Sequence, residues 1–236
     1  MTKTYSATTT SRGTKGSALT YTEMDNNINT IGFLDSDVTD LKSRATTLEA
    51  NNPQQSKAGQ ILETIEALAD GTSVTVQSGT YTFTDVTTEQ VLANSIASIN
   101  GSSISYVPPA GTTRVIYEFY VFLRELTDGR ILAHFRGRVD GTNNNQARHT
   151  VRDVASADLS DGQMWVYNKM ILTIGQVGSD DIANGKLASY NTARTLDFTA
   201  RRYSSNYESG LHMTNQWNGT GDDVLVKPHI RITAIG

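Results

Sequence analysis

The sequence predicts a mainly β protein in which a short N-terminal parallel coiled coil precedes an antiparallel jelly-roll-like β-sandwich, and three observations carry that prediction. Between residues 20 and 51, apolar side chains recur at alternating steps of three and four. Beyond residue 57 they recur at steps of two, and Gly, Asn or Asp fills nearly every gap between the alternating runs. Eight to ten such runs with no intervening helices exclude a βαβ arrangement and leave antiparallel sheets packed face to face.

The chain begins with a Thr/Ser/Gly-rich segment, residues 1–18, that has no periodic apolar face. It reads as an extended arm, either a loose terminus or an anchor that orders on a partner.

Residues 19–53 form the expected stalk. Thr20 with Glu23 three positions on has capping-box spacing, which satisfies two orphan helix donors reciprocally. The heptad seam then runs through Ile31, Leu34, Val38, Leu41, Ala45 and Leu48, extends back to Met24 with Asn27 and Ile28 sharing the place between, and stops at Asn52-Pro53. The intervening positions are mostly polar or charged, leaving no second apolar face. Ile, Val and Ala at one seam position with Leu at the other is a two-stranded pattern in isolated peptides, so the stoichiometry falls to whatever follows the rod.

Residues 57–236 are the expected β head. Residues 57–70 fit either a helical turn or a first strand. Strands are expected near 73–78, 80–86, 103–107, 113–126, 130–140, 148–154, 163–176, 194–203, 210–216 and 223–235. In Val115–Arg124 the odd positions are all apolar, and in Ile131–Val139 the odd positions are apolar while the even ones are largely basic. A three-residue Thr127-Asp128-Gly129 loop would make these a hairpin, pairing Phe119 with Gly137 and Val121 with Phe135, and setting Glu118 opposite Arg138 and Phe122 opposite His134. The even-numbered face so formed suits a subunit interface, or a cross-strand pair under a loop. Val224, Val226, Ile230, Ile232 and Ala234 share one side of the last strand, and Trp165, inside an apolar run, reads as core.

Composition narrows the function. Thr 32, Ser 20, Asn 16 and Gly 19 make up 87 of 236 residues, whereas Lys and Arg total 20 and the net charge is −4, which argues against a nucleic-acid binder. No apolar stretch approaches a membrane span, and the absence of cysteine removes disulfides, thiolate metal sites and cysteine nucleophiles. No phosphate loop, nucleophile elbow or His-Glu-x-x-His motif occurs, and His134, His149, His212 and His229 fall on different expected strands. The expectation is therefore no catalytic residue, no metal and no cofactor. For binding, the amide-rich Asn143, Asn144 and Asn145 are expected in a loop, with Arg202, Tyr203, Tyr207 and Trp217 in loops near the C-terminal end. Aromatic faces beside amides and arginine suit sugars or polar epitopes; alternatively Trp217 plugs the sandwich and the amides serve turns.

Gly16-Ser17-Ala18-Leu19-Thr20-Tyr21-Thr22-Glu23-Met24-Asp25-Asn26-Asn27 resembles the G-x-x-LT-x-x-EMD-x-N segment near the N-termini of many phage tail-fibre and receptor-binding proteins. Ile104 through Phe119 is similar to C-terminal fibre domains of tailed phages and other aquatic viruses. The two stretches cover about a fifth of the chain. The resemblance implies a homotrimeric virion fibre anchored to a phage tail or capsid protein through residues 1–18, with a head that contacts a host surface glycan or protein. Two other readings are a glycan-degrading tailspike-type enzyme and a soluble C1q- or TNF-like trimeric ligand.

Overall fold

The computed structural model describes residues 18, 20–50, 58–126, 131–152, 162–214 and 223–236. The expected anchoring arm (but for Ala18), the Asn52-Pro53 stop, the Thr127-Asp128-Gly129 loop and Trp217 lie outside the described residues. The chain divides into two compact units, Met1–Gln55 and Ser56–Gly236.

Among the described residues the first unit contains one helix, α1, over Tyr21–Ala50, about 45 Å long at 1.5 Å per residue. Its start is the expected capping box: the Thr20 amide donates to Glu23 Oε2 (2.8 Å) and the Glu23 amide to Thr20 Oγ1 (3.3 Å). Along the seam, Met24, Ile28, Val38, Leu41 and Ala45 are exposed, Ile28 at 62% and Leu41 at 60%. Ile31, Leu34 and Leu48 belong to the helix, and their side chains lie outside the described residues.

Among the described residues the second unit is all β apart from one short 3-10 turn. Its strands are β1 (Ile61–Leu68), β2 (Ser73–Val76), β3 (Gly79–Thr82), β4 (Gln90–Val91), β5 (Ala97–Ser98), β6 (Ile104–Tyr106), β7 (Arg114–Glu125) and β8 (Leu132–Val139). There follow β9 (Thr142–Arg152), β10 (Gln163–Ile174), β11 (Lys186–Leu187), β12 (Arg194–Arg202), β13 (Ser209–Leu211), β14 (Met213–Thr214), β15 (Val224–Leu225) and β16 (His229–Ile235). The ambiguous 57–70 segment thus supplies a strand.

One sheet runs β1–β16–β7–β10–β11, with β13 pairing β7 and β4; the other runs β5–β12–β8–β9, with β6 also on β12. Among the described residues only the β10–β11 pair is parallel. Counting β5 and β6 as one interrupted strand, the eight principal strands lie in the orders first–eighth–third–sixth and second–seventh–fourth–fifth, the strand order of a jelly roll. The sheets meet through aromatic rings: Phe198 of β12 packs on Tyr117 and Phe119 of β7, with centroids 5.2 and 5.9 Å away.

The expected hairpin between 115–124 and 131–139 does not form. The odd positions Val115, Tyr117, Phe119, Val121 and Leu123 are fully buried, as are Ile131, Ala133 and Val139, so both runs face the core. They do so from opposite sheets. Phe119 lies opposite Asn168 and Ile230, and Val121 opposite Val166, while Phe135 lies opposite Ala200 and His149. Glu118 faces Lys169 and Arg231 in place of Arg138, and Phe122 faces Trp165 in place of His134. Alternation identifies the buried face of a strand and leaves its neighbour open. The hairpin that does form joins β8 to β9 through Asp140-Gly141, both with positive φ (50° and 77°), with Val139 opposite Thr142.

The last strand also differs. Ile230, Ile232 and Ala234 are buried between β1 and β7, but Val224 belongs to the separate β15 and is exposed. Pro228, which has no amide to donate, precedes β16, and its carbonyl accepts from the Ala69 amide (2.8 Å). Glu63, 6% exposed, is a buried carboxylate with no cation beside it among the described residues. It accepts from Ser78 N (2.8 Å), Ser78 Oγ (2.6 Å) and Tyr106 Oη (3.0 Å), and so ties β1 to β6 and to the β2–β3 turn.

Candidate functional site

Six of the seven residues expected to bind a receptor are described, and those six do not converge; Trp217 lies outside the described residues. Asn143–Gln146 is not a loop but the irregular part of β9: Arg138 pairs with Asn143 and Arg136 with Arg148, so two steps on β8 face five on β9. Asn144 turns into this bulge, is fully buried, and accepts from the Gln146 amide (2.8 Å). An amide that replaces ladder bonds locally is unavailable to a partner. Asn143 and Asn145 stay exposed. Arg202 is also committed within the chain, donating from Nε to Asn94 Oδ1 (2.9 Å) and from Nη1 to Glu208 Oε1 (2.8 Å). Tyr203, 59% exposed, meets Tyr207 edge to face at 5.8 Å. Arg202 lies opposite Ala133 and Asn143 opposite Arg138, so the two groups stand five β8 residues apart, about 17 Å.

Two outer sheet faces carry chemistry instead. On the β16–β7–β10 face, cross-strand neighbours form rungs. Phe122 meets Trp165 edge to face at 5.4 Å; Tyr120 lies between Tyr167 (4.8 Å) and His229 (5.5 Å); Glu118 lies between Lys169 and Arg231; Ile116 is opposite Ile171. Burial, and then the hydrogen bond that Tyr167 Oη donates to Glu118 Oε1, hold the phenol above its ordinary range. Trp165 is 55% exposed, which corrects its reading as core: it sits at an outward position of β10 with Tyr167 and Ile171, while Val166, Met170 and Leu172 face in. An aromatic run alone does not say which parity of a strand is buried.

The opposite face, on β12–β8–β9, is basic. A cleft of about 390 Å³ is lined by Ile96, His134, Phe135, Arg136, Arg148, His149, Thr150 and Arg201. His134 Nδ1 and Thr150 Oγ1 are 2.8 Å apart, and on the inward side of the same sheet the His149 ring lies flat on the core ring of Phe135 (5.3 Å, 10° between planes). Burial lowers the basicity of both imidazoles, and the Arg201 cation adds to the effect on His134. The even-numbered basic positions of 131–139 pointed to this face, but partners from 148–150 and 201 are visible only once β9 and β12 flank β8.

The remaining histidines do not join them. His229 Nε2 is 3.1 Å from Glu66. His212 is fully buried, adopts φ 72°, and neither ring nitrogen has a hydrogen-bond partner among the described residues. Burial pushes its pKa from 6.5 down to about 4. Between those values the unfolded chain binds a proton that the folded chain excludes, so stability falls as pH drops through this window, by up to about 3 kcal/mol. Urea denaturation at pH 7, 5.5 and 4 should show that loss, and His212→Asn, which tolerates positive φ and does not titrate, should flatten it. An unchanged slope in the variant would assign the acid sensitivity elsewhere.

No protein-family model matches the chain, and none of the curated proteins matches it. Among solved structures the chain is similar to the PRD1 vertex protein P5, at 11% identity over 73% of this chain and 85% of that one, with a TM-score of 0.27. It is also similar to a chain in the structure of infectious bursal disease virus, Gx strain, at 12% identity and a TM-score of 0.29. That match covers 76% of this chain, which spans little more than a third of the viral one (37%).

Proposed function

We propose that this chain is a virion attachment-fibre subunit that works by binding, not turnover: residues 1–18 dock on a tail or capsid protein, α1 assembles with the same helix of other copies, and the β unit is the adhesion head of a homotrimer. The observation that carries the reading is the exposed seam of α1. Met24, Ile28, Val38 and Leu41 recur on one stripe of a 30-residue helix and meet solvent in the single chain. A helix derives most of its stability from packing such a stripe, and heptad spacing fits other helices of the same kind. The resemblance of residues 16–27 and 104–119 to phage fibre segments supports the same reading. So does the aromatic β16–β7–β10 face, whose Trp165, Tyr167 and Ile171 are of the type that subunit interfaces cover. Three heads on one stalk would multiply weak contacts with a cell surface into avidity.

Light scattering on the full chain tests the assembly step. The expected mass is three times the 25.7 kDa of one chain, and Val38→Asp with Leu41→Asp should lower it by placing carboxylates in the seam. A wild-type mass of one chain would remove coiled coil and fibre together; a mass of two would remove the trimer.

A further inference from the structure

We infer that the cleft on the outer face of the β12–β8–β9 sheet binds a compact oxyanion, carboxylate or phosphate, carried on a sugar-sized body, through Arg136, Arg148 and Arg201. The inference stands on the β unit alone, whether or not the chain is a fibre.

The charge arrangement is the first reason. Arg124, Arg138, Arg194, Arg202 and Arg231 each lie within 4.0 Å of a carboxylate. Arg136, Arg148 and Arg201 have no such partner among the described residues, yet all three line one cleft of a chain whose net charge is −4. Arg136 and Arg148 are also directly opposite each other across β8 and β9. Like charges in that register oppose pairing of the strands. An anion between them would turn repulsion into two charge-assisted contacts, and the planar guanidinium fork matches the geometry of carboxylate and phosphate.

Shape and lining limit the ligand. About 390 Å³ falls in the small-molecule range, and a single cleft differs from the long basic stripe that tracks a nucleic-acid backbone. Beside the cations, Ile96 offers apolar surface, while His134 and Thr150 offer polar groups already oriented by their mutual hydrogen bond. Charge at one side and mixed apolar and hydroxyl-matching surface at the other fit an acidic or phosphorylated sugar.

Isothermal titration of the full chain with glucuronate, glucose 6-phosphate and glucose tests this. The expected result is binding of at least one charged sugar and at least tenfold weaker binding of glucose. Preference for glucuronate would identify a carboxylate ligand, and preference for glucose 6-phosphate a phosphate ligand. Arg148→Gln with Arg201→Gln should weaken the charged sugar at least tenfold, whereas Arg114→Gln, on β7 of the other sheet, should leave it unchanged. If the double variant unfolds at lower temperature than wild type, Arg148→Lys, which keeps the charge and loses the fork, should still weaken binding. Failure of both charged sugars to bind, equal binding of glucose, or wild-type affinity in the arginine variants would overturn the inference.

Discussion

Phe198→Ala is expected to cost the β unit about 3–5 kcal/mol, because a fully enclosed phenylalanine leaves both lost transfer energy and a cavity. The position makes the upper half of that range the expected one. Phe198 is 1% exposed and is the ring through which β12 meets both Tyr117 and Phe119 of the facing sheet. Its backbone is held as well: the amide donates to Ser102 Oγ (3.1 Å), and the carbonyl accepts from the Ile99 amide (2.9 Å) and from Ser102 Oγ (3.0 Å). Those bonds keep the strand in place after truncation, so the surroundings cannot collapse into the space. Urea denaturation should show the midpoint shifted with little change in slope, and the same loss should appear as a fall in Tm of roughly 10 °C or more. A loss below 1 kcal/mol would mean that the sheets do not meet at this ring. Arg201 follows three residues later on the same strand, so the core ring also sets where the cleft's third cation stands.

Much of the architecture was legible because it depends on local rules. The capping box at Thr20 and Glu23 is a contact between residues three apart, and the step of two along Val115–Leu123 is set by the pleat itself; the structure shows both as read. Partnership between strands is a long-range property. Nothing local distinguishes a turn that returns a strand to its own sheet from one that crosses to the other, so 115–124 and 131–139 read as a hairpin when they belong to different sheets. Asp140-Gly141, the same dipeptide type as Asp128-Gly129, is the turn that closes a two-residue hairpin. Burial of polar groups was similarly hidden. Asn144 resembles its exposed neighbours in sequence, and only the bulge turns it inward. The basic cleft was half visible, as an even-numbered basic stripe in 131–139, and its completion needed residues some 12 and 65 positions further along the chain.

Gly101→Ala is expected to lose about 2–5 kcal/mol from two additive sources. The first is backbone strain: Gly101 has φ 77°, a left-handed conformation that costs a residue with a Cβ about 1–2 kcal/mol. The second is space. A Cβ there would stand 2.5 Å from Val86 Cγ2, 2.8 Å from Ala69 Cβ and 2.9 Å from Pro228 Cγ, three short side chains on three separate segments. None has a flexible end that can swing aside, so backbone must shift, and overpacking of this kind costs about 1–3 kcal/mol. The segments matter to the fold, since the Ala69 amide bonds the Pro228 carbonyl and the Val86 amide bonds the Ala69 carbonyl, which fixes the ends of β1 and β16 together. Gly141→Ala separates the two sources. Its φ is also 77°, but nothing lies within 4 Å of the added Cβ, so it should lose only the strain. Denaturation curves of the two variants should therefore differ by the packing cost alone. Equal losses would show that the junction of Ala69, Val86 and Pro228 yields to a methyl group, and the tight closure at that end of the sandwich would then be no constraint on the chain.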